Sequence, residues 1–324
     1  MPVDEVKRGS VEAVTEKRAM TVGDGLAWAG ASLEEAELEE PTREAEYLLA
    51  ALLDYTQGEL YLNRTRRMSG AESRAFRRAV ARRSSGEPPQ YIIGEQEFRG
   101  LAFKVNGDVL IPRPETELLV EEVLVTLRGG EKRGAGGESE EPPFVIDLCT
   151  GSGCIAVTVA HEIERVRCIA TDLSAAALEV ARDNAARHGV AERITFFEGD
   201  LFTPITRSDK TGRADVIVSN PPYVPKVEIP TLQPEVSRFE PTTALDGGED
   251  GLDLIREIVA EAPHYLASKG TLLMEIGYGQ ADEVRALFDE SDYSWAVEVS
   301  RDYGGIERIV KARIVTKGPE EIVQ

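Results

Sequence analysis

The feature that most constrains the fold is an alternation of short apolar segments with helical segments that begins after Pro143. The segments predicted as β-strands are residues 144–149, 167–173, 193–201, 214–219, 271–276, 295–300 and 308–315. Helices are predicted between them, and the helix at 174–188 has Ser174 as its N-cap and Gly189 as its stop. This alternation is typical of a doubly wound, mainly parallel sheet, which binds ligands beyond the carboxyl ends of its strands.

The part of the chain before these strands has a helical pattern. Apolar residues recur at helical intervals from Thr21 to Ser85, and two alternating stretches, 91–98 and 101–105, indicate a β-hairpin. The predicted domains are therefore a disordered N-terminus (1–20), a helical substrate-recognition domain (21–87), a β-hairpin linker (88–110) and a catalytic domain (111–324). The Gly- and Glu-rich run 129–143 is predicted to be a flexible surface loop.

A glycine-rich turn joins the first predicted strand to its helix. It reads Asp-Leu-Cys-Thr-Gly-Ser-Gly over residues 147–153, and Asp172 ends the next strand, near the spacing at which a carboxylate meets ribose hydroxyls. This pattern predicts a nucleoside-containing cofactor. Gly151, Gly153 and Ala156 also satisfy the nicotinamide fingerprint, and a tight turn without a ligand is the plainer alternative.

Asp147 favours one cofactor over the other. A dinucleotide site aims a helix N-terminus at a pyrophosphate and usually keeps the preceding strand apolar. S-adenosylmethionine has no phosphate, and its ammonium group would favour an acidic rim, so Asp147 favours S-adenosylmethionine. A hydrolase nucleophile elbow is excluded because Thr150 and Cys154 occupy the positions around Ser152 where that motif requires glycines.

The segment Asn220-Pro221-Pro222-Tyr223 directly follows the apolar strand 214–219. A methyl acceptor with a planar nitrogen is a poor nucleophile, so its site must hold the NH2 group and stabilise the positive charge that grows on nitrogen. The Asn220 side-chain oxygen and the Pro221 carbonyl can each accept one N–H, the prolines stiffen the loop, and the Tyr223 ring can pack on a flat group. A simple turn is the alternative interpretation.

Composition limits the partners. The 324 residues carry a formal net charge of -21, whereas binding to nucleic acid normally requires a basic surface. We therefore expect no direct nucleic-acid partner. The N-terminus lacks the apolar region of a secretory signal and no run is long enough to span a bilayer, so a cytoplasmic protein with no membrane partner is expected. The three histidines are scattered without ligand spacing and favour no metal site. The three cysteines cluster around one predicted strand-helix-strand unit and favour reduced thiols over a disulfide framework.

Several further motifs narrow the interpretation. The segments IPRPETELLVE (111–121), RFEPTTAL (238–245) and RDYGGIERIV (301–310), together with the glycine turn and Asn-Pro-Pro-Tyr, resemble the HemK/PrmC family of release factor glutamine methyltransferases. The resemblance covers nearly the whole chain from about residue 21. It implies a class I S-adenosylmethionine-dependent methyltransferase: a Rossmann-like α/β fold with a seven-stranded doubly wound sheet and a small N-terminal helical domain joined by a β-hairpin.

The resemblance also implies an activity and its residues. The expected reaction transfers a methyl group from S-adenosylmethionine to the glutamine amide of the Gly-Gly-Gln loop in class I peptide chain release factors, leaving S-adenosylhomocysteine. The expected cofactor contacts are Cys149, Thr150, Gly151, Ser152, Gly153, Asp172, the Asp200-Leu201 corner and Asn220. The expected substrate contacts are Asn220, Pro221, Pro222 and Tyr223, of which Asn220, Pro221 and Tyr223 are catalytic. Arg113 to Thr116 should border the amino acid end of the cofactor.

Two departures and three alternatives accompany this hypothesis. The family usually has glycine where this chain has Cys149, and a β-like backbone would accommodate the side chain. The insertion from Gly129 to Glu141 is longer and more acidic than the resemblance implies, and it lies before the first strand, away from the carboxyl-end rim. The alternatives are a DNA or RNA N-methyltransferase that acts on exocyclic amines of adenine or guanine, a protein that only senses S-adenosylmethionine, and a nicotinamide oxidoreductase. The protein is expected to act as a monomer.

Overall fold

The computed structural model describes residues 20–131, 141–205 and 213–315. The chain divides into two compact units, the first ending at Gly94 and the second beginning at Glu95. The N-terminus predicted to be disordered lies outside the described residues as far as residue 19, and so do residues 132–140 of the predicted loop 129–143. The first residues of that predicted loop belong instead to a helix that ends at Glu131. No helix in the described ranges has both the length and the apolar character needed to cross a membrane.

The first unit is helical, and its helices begin where the sequence supplies caps. Thr21, Thr56 and Ser69 each accept a hydrogen bond from the backbone N–H three residues later, and an acidic side chain at that later position bonds back. Leu49 and Phe76 are fully buried between the helices. The helices are α1 (Val22–Glu35), α2 (Pro41–Leu53), α3 (Gln57–Leu62), α4 (Gly70–Ser84) and α5 (Pro89–Ile93).

The second unit begins with the β-hairpin. Strands β1 (Glu95–Phe98) and β2 (Leu101–Lys104) pair antiparallel through a two-residue turn, in which Arg99 and Gly100 both have positive φ, 50° and 75°. The prediction that the hairpin starts at Tyr91 was wrong. Residues 91–93 belong to α5, because Pro89 at its first turn fixes a helical φ and Gly94, with φ 88°, ends the helix.

The predicted seven-stranded, mainly parallel sheet is confirmed. The strands are β3 (Phe144–Leu148), β4 (Arg167–Asp172), β5 (Ile194–Glu198), β6 (Ala214–Ser219), β7 (Leu266–Glu275), β8 (Trp295–Arg301) and β9 (Glu307–Ile314). Among the described residues their order in the sheet is β5-β4-β3-β6-β7-β9-β8, with β9 antiparallel to both neighbours and the other pairs parallel. The strand order reverses between β3 and β6, which is the position where such sheets bind ligands.

Helices cover both faces of this sheet. Neighbouring residues of a strand point to opposite faces, and in the central strands both sets of side chains are apolar and buried. The helices are α6 (Pro114–Glu131), α7 (Cys154–Glu162), α8 (Ala175–Arg187), α9 (Pro234–Phe239), α10 (Asp253–Glu261) and α11 (Ala281–Asp289). On β3, Val145 packs into one apolar cluster with Leu124 of α6, and Ile146 packs into the other with Ile255 of α10. Ser174 caps α8 as predicted, with its Oγ accepting from the N–H of Ala177 at 3.2 Å.

Candidate active site

A cavity of about 320 Å³ lies in the second unit at the carboxyl ends of the strands on either side of the order reversal. This volume falls in the range of small-molecule sites. Most of the residues expected from the sequence line it, namely Arg113, Thr116, Cys149, Thr150, Gly151, Ser152, Asp172, Asp200, Leu201, Asn220 and Pro222. Gly153, Pro221 and Tyr223 are not among the lining residues.

The glycine turn leaves room on its cavity side. Gly151 has φ 55°, and a Cβ built there would meet no atom within 4 Å, so the backbone is open to a ligand. Gly153, at the N-cap of α7, has a different role, since a Cβ there would come within 3.1 Å of the Ala181 Cβ. Its lack of a side chain allows α7 and α8 to pack closely.

Cys149 does not have the β-like backbone that we expected. Its φ is 57°, in the left-handed region that costs a residue with a Cβ about 1–2 kcal/mol. Its side chain packs at the edge of an apolar cluster, and burial raises the pKa of the thiol, which favours the neutral form. A glycine at this position would adopt the same backbone conformation without that cost.

Asp147 is not part of the cavity rim, contrary to our expectation. Its side chain is fully buried beneath the glycine turn, where Oδ2 accepts from the Thr150 hydroxyl at 2.6 Å and from the Ala156 N–H at 3.2 Å. No described residue bonds its Oδ1. Burial raises the pKa of Asp147 to about 7. Asp147 therefore holds the turn and cannot contact a ligand's ammonium group.

Asp172 ends β4 with its carboxylate oriented by the backbone. Oδ2 accepts from the N–H of Gly151 at 2.8 Å, and Oδ1 accepts from the N–H of Ser174 at 2.9 Å. A carboxylate offers about four acceptor positions, so roughly two remain for a ligand diol. Burial raises the pKa of Asp172, while these two hydrogen bonds lower it.

Asp200 and Leu201 form the next corner of the cavity. Like Cys149, Leu201 is a cavity-lining residue with a Cβ in the left-handed region; its φ is 41° and its side chain is 7% exposed. The strand predicted over 193–201 ends at Glu198 because the chain turns through Gly199 and Leu201, both at positive φ. This turn brings an apolar side chain to the cavity.

The Asn-Pro-Pro-Tyr loop leaves β6 beside the glycine turn. Ser219, the last residue of β6, donates its hydroxyl to the carbonyl of Leu148 at 2.9 Å, which ties the two strand ends together. The Asn220 Nδ2 group donates to the Thr116 Oγ1 atom at 3.1 Å. The Tyr223 hydroxyl donates to the Glu275 carboxylate at 3.2 Å.

A second segment supports this loop from behind. Gly251 has φ 81°, and a Cβ there would lie 2.3 Å from the carbonyl oxygen of Tyr223. The Gln280 side chain donates to the same carbonyl at 2.9 Å. The Gly247 N–H also donates to the Val224 carbonyl at 2.9 Å, and the Val224 N–H donates to the Leu245 carbonyl at 2.9 Å. Only glycine can occupy position 251 without moving the backbone of the loop.

The separate motifs of the sequence meet around the cavity. Arg113 pairs with both carboxylate oxygens of Glu240 at 2.8 and 2.7 Å across 127 positions of sequence, and Glu240 is only 5% exposed. Arg308 donates to the carbonyl of Ile276, the residue after Glu275.

Sequence reasoning missed Glu275, Glu240 and Gln280 as residues of the site. A charged residue at the end of a strand predicted to be buried was the available signal for Glu275.

The charges around the cavity suit a cationic ligand. Among the described lining residues, Asp108, Asp172 and Asp200 carry carboxyl groups, while Arg113 carries the guanidinium that Glu240 already neutralises. A pyrophosphate would meet carboxylates without a matching excess of cations. A sulfonium or ammonium group would instead be attracted.

Two family profiles match the chain. The PrmC N-terminal domain profile matches residues 24–94, and the methyltransferase small domain profile matches residues 138–232. A solved structure with a similar fold is the hMettl16 catalytic domain in complex with the MAT2A 3'UTR hairpin 1. Its TM-score is 0.52 and its identity 13%, with 77% of this chain and 84% of that chain covered. At this identity the similarity concerns the fold alone.

Curated relatives are far closer in sequence. The release factor glutamine methyltransferase of Geobacter sulfurreducens is 41% identical over 302 residues, which cover 93% of this chain and all of the relative. That of Nitratidesulfovibrio vulgaris is 43% identical over 282 residues, which cover 87% of this chain and 91% of the relative. With this similarity over almost the entire length, the chain belongs to the family of release factor glutamine methyltransferases.

Proposed function

We propose that the protein transfers a methyl group from S-adenosylmethionine to the side-chain amide nitrogen of the glutamine in the Gly-Gly-Gln motif of class I peptide chain release factors. The observation that carries the proposal is the position of Asn220. It lines the cavity at the end of β6, and its Nδ2 group is bonded to Thr116, which leaves Oδ1 as an acceptor for the substrate.

Three features of the cavity support S-adenosylmethionine as its ligand. Open space at Gly151 accommodates close approach of the ligand, the Asp172 carboxylate has acceptor positions left for the ribose hydroxyls, and Leu201 offers an apolar surface for adenine. When bound, S-adenosylmethionine supplies an electrophilic methyl group on a sulfonium. The residues proposed to hold it are Cys149, Thr150, Gly151, Ser152, Asp172, Leu201 and Asn220, with Gly153 shaping the turn behind them.

The chain's own contribution to the reaction is to hold and polarise the glutamine amide. We assign the two N–H groups to the Asn220 Oδ1 atom and the Pro221 carbonyl, while Pro222 and the Tyr223 ring confine the amide plane. S-adenosylmethionine would supply the methyl group to this nitrogen, and its sulfur would keep the electron pair of the broken carbon–sulfur bond. The nitrogen then releases one proton to water. The two acceptors stabilise the positive charge that develops on nitrogen.

Mass spectrometry of a purified class I release factor tests this function. After incubation with the protein and S-adenosylmethionine, we expect one added methyl group on the loop glutamine. A release factor with that glutamine replaced by asparagine serves as the matched control and should gain none. An unmodified glutamine together with methylated nucleic acid in a parallel reaction would contradict the proposal and favour the exocyclic-amine alternative.

The Asp172→Ala variant should bind S-adenosylmethionine more weakly. Hydrogen bonds to an ionised group contribute roughly 1.5–3 kcal/mol, so the dissociation constant should rise about 10- to 150-fold. Calorimetric titration measures it. The Asp183→Ala variant is the control, because Asp183 is an exposed carboxylate of α8 that pairs with Lys104 away from the cavity. Equal affinity of wild type and Asp172→Ala would remove Asp172 as the ribose ligand.

Two further statements rest on this function. Release factors act in translation, so we place the protein in the cytoplasm. We assign recognition of the folded release factor to the helical unit that ends at Gly94, since the second unit already contains the cavity and the acceptor loop.

A further inference from the structure

Glu275, the last residue of β7, connects the two polar side chains of the Asn-Pro-Pro-Tyr loop. It is 1% exposed, and both of its oxygens are bonded to hydroxyl groups. Oε2 accepts from the Thr116 hydroxyl at 2.7 Å, and Oε1 accepts from the Tyr223 hydroxyl at 3.2 Å. Thr116 in turn contacts Asn220. The four side chains form one continuous hydrogen-bonded chain from Asn220 to Tyr223.

The direction of this chain follows from what each group can donate. An ionised carboxylate only accepts, so the single hydroxyl hydrogen of Thr116 is directed at Glu275. The Thr116 oxygen then presents only lone pairs to Asn220, and the amide must turn its NH2 end toward Thr116. This orientation leaves Oδ1 as the end that faces a substrate. Burial raises the pKa of Glu275, while the hydrogen bonds from the Thr116 and Tyr223 hydroxyls and the positive charge of Arg308 oppose that rise.

We propose that Glu275 and Thr116 are positioning residues that fix which end of the Asn220 amide faces the methyl acceptor. The inference rests on the proposed function and deepens it. A reversed Asn220 would present N–H groups to the N–H groups of the glutamine amide, and donors cannot bond one another. The acceptor has to be preorganised before the reaction, because reorientation in the transition state would cost free energy at that moment.

A matched pair of variants at position 116 tests the hydroxyl itself. Thr116→Val keeps the shape of the side chain and removes its hydrogen bonds, while Thr116→Ser keeps the hydroxyl and removes a methyl group. We expect Thr116→Val to lower kcat roughly 10- to 30-fold, the effect of losing one well-placed hydrogen bond, and Thr116→Ser to restore most of it. Thr116→Ser should leave the Kd for S-adenosylmethionine and the Tm near the wild-type values, whereas Thr116→Val should also lower the Tm, because it leaves a buried oxygen of Glu275 without its hydrogen bond.

Glu275→Gln tests the direction of the chain. A carboxamide both donates and accepts, so Thr116 is no longer forced to direct its hydrogen at residue 275, and kcat should fall. In a Thr116→Val background the same change should cost much less, because its path to Asn220 is already interrupted. The proposal would be overturned if the two substitutions lowered kcat independently, so that their fold-losses multiply in the double variant, or if the Thr116→Val and Thr116→Ser variants had equal kcat.

A measurement on the protein alone separates this inference from the proposed function. In protein labelled with ¹⁵N-asparagine, the side-chain NH2 signal of Asn220 is identified by its loss in Asn220→Asp. We expect Thr116→Val to shift this signal and speed its hydrogen exchange, and Thr116→Ser to leave it near its original position. An unchanged signal in Thr116→Val would refute the positioning role even if the release factor is methylated. A shifted signal supports it even if the methyl acceptor is another amide.

Discussion

Replacing Asn220 with alanine is expected to lower the rate of methyl transfer by roughly 10²–10³-fold, the usual cost of removing one preorganised partner of a transition state. The glutamine nitrogen loses delocalisation as it attacks, and its N–H groups become stronger donors while positive charge develops. The contact with Oδ1 is therefore stronger in the transition state than in the bound substrate. The loss should appear in kcat, with cofactor affinity less affected.

Asn220→Asp gives the sharper comparison. It keeps an acceptor of similar shape and adds a negative charge that can attract the sulfonium. It also removes the N–H bond to Thr116, so two acceptors face the same hydroxyl and the carboxylate loses its fixed orientation. We expect partial activity from Asn220→Asp and very little from Asn220→Ala.

Single-turnover kinetics at saturating S-adenosylmethionine measure both variants, with cofactor affinity determined separately by calorimetry. The Asp183→Ala variant again controls for a surface change in the same unit. Near-wild-type methyl transfer by Asn220→Ala would mean that the Asn-Pro-Pro-Tyr loop is only a turn, and the assignment of the acceptor would have to be withdrawn.

The sheet was predictable from sequence because its strands carry nearly uninterrupted apolar runs. Val216, Ile217 and Val218 are completely buried. When such apolar strands alternate with helices, only a few sheet topologies are compatible with the sequence. Residues 91–93 were mistaken for a strand because Tyr-Ile-Ile has high β-propensity, and the two prolines before it decided the local structure instead. Propensity was overridden there by the fixed φ of Pro89.

The site was predictable where one local motif supplies both the turn and the side chain, as at Gly151 and Asn220. It was not predictable where contacts join distant segments. The bond between Thr116 and Glu275 spans 159 positions, and nothing near Glu275 in sequence indicates which hydroxyl it meets. For Asp147, in contrast, the sequence suggested a contact that the structure does not have. Its position next to the glycine turn suggested that it lies on the cavity rim near the cofactor. The strand directs this side chain into the interior.

Asp147 is expected to make the stability of the second unit fall as pH rises toward neutrality. Burial raises the pKa of its carboxyl group from 3.8 to about 7 in the folded protein. Between these values the folded chain keeps a proton that the unfolded chain has released, so a rise in pH favours unfolding. At about 1.4 kcal/mol per pKa unit, the accumulated loss is about 4 kcal/mol once the pH exceeds the folded pKa.

Asp147→Asn isolates this contribution from those of Asp172, Glu240 and Glu275, whose pKa values burial also raises. The amide keeps an acceptor for Thr150 and Ala156 but cannot ionise. Its free energy of unfolding relative to wild type should therefore increase by about 4 kcal/mol between pH ~4 and pH ~8, whatever the constant offset caused by the changed hydrogen bonds.

Urea denaturation across this pH range measures the difference for the second unit alone if Trp28, which lies in the first unit, is replaced by phenylalanine. Trp295 in β8 is then the remaining tryptophan of the chain, and it packs edge-on against Phe288 within the second unit. Because every other titrating group is shared by the two proteins, only Asp147 can make their stability curves diverge. Parallel curves would show that Asp147 remains ionised beneath the glycine turn throughout, and that the turn tolerates a buried charge without protonation.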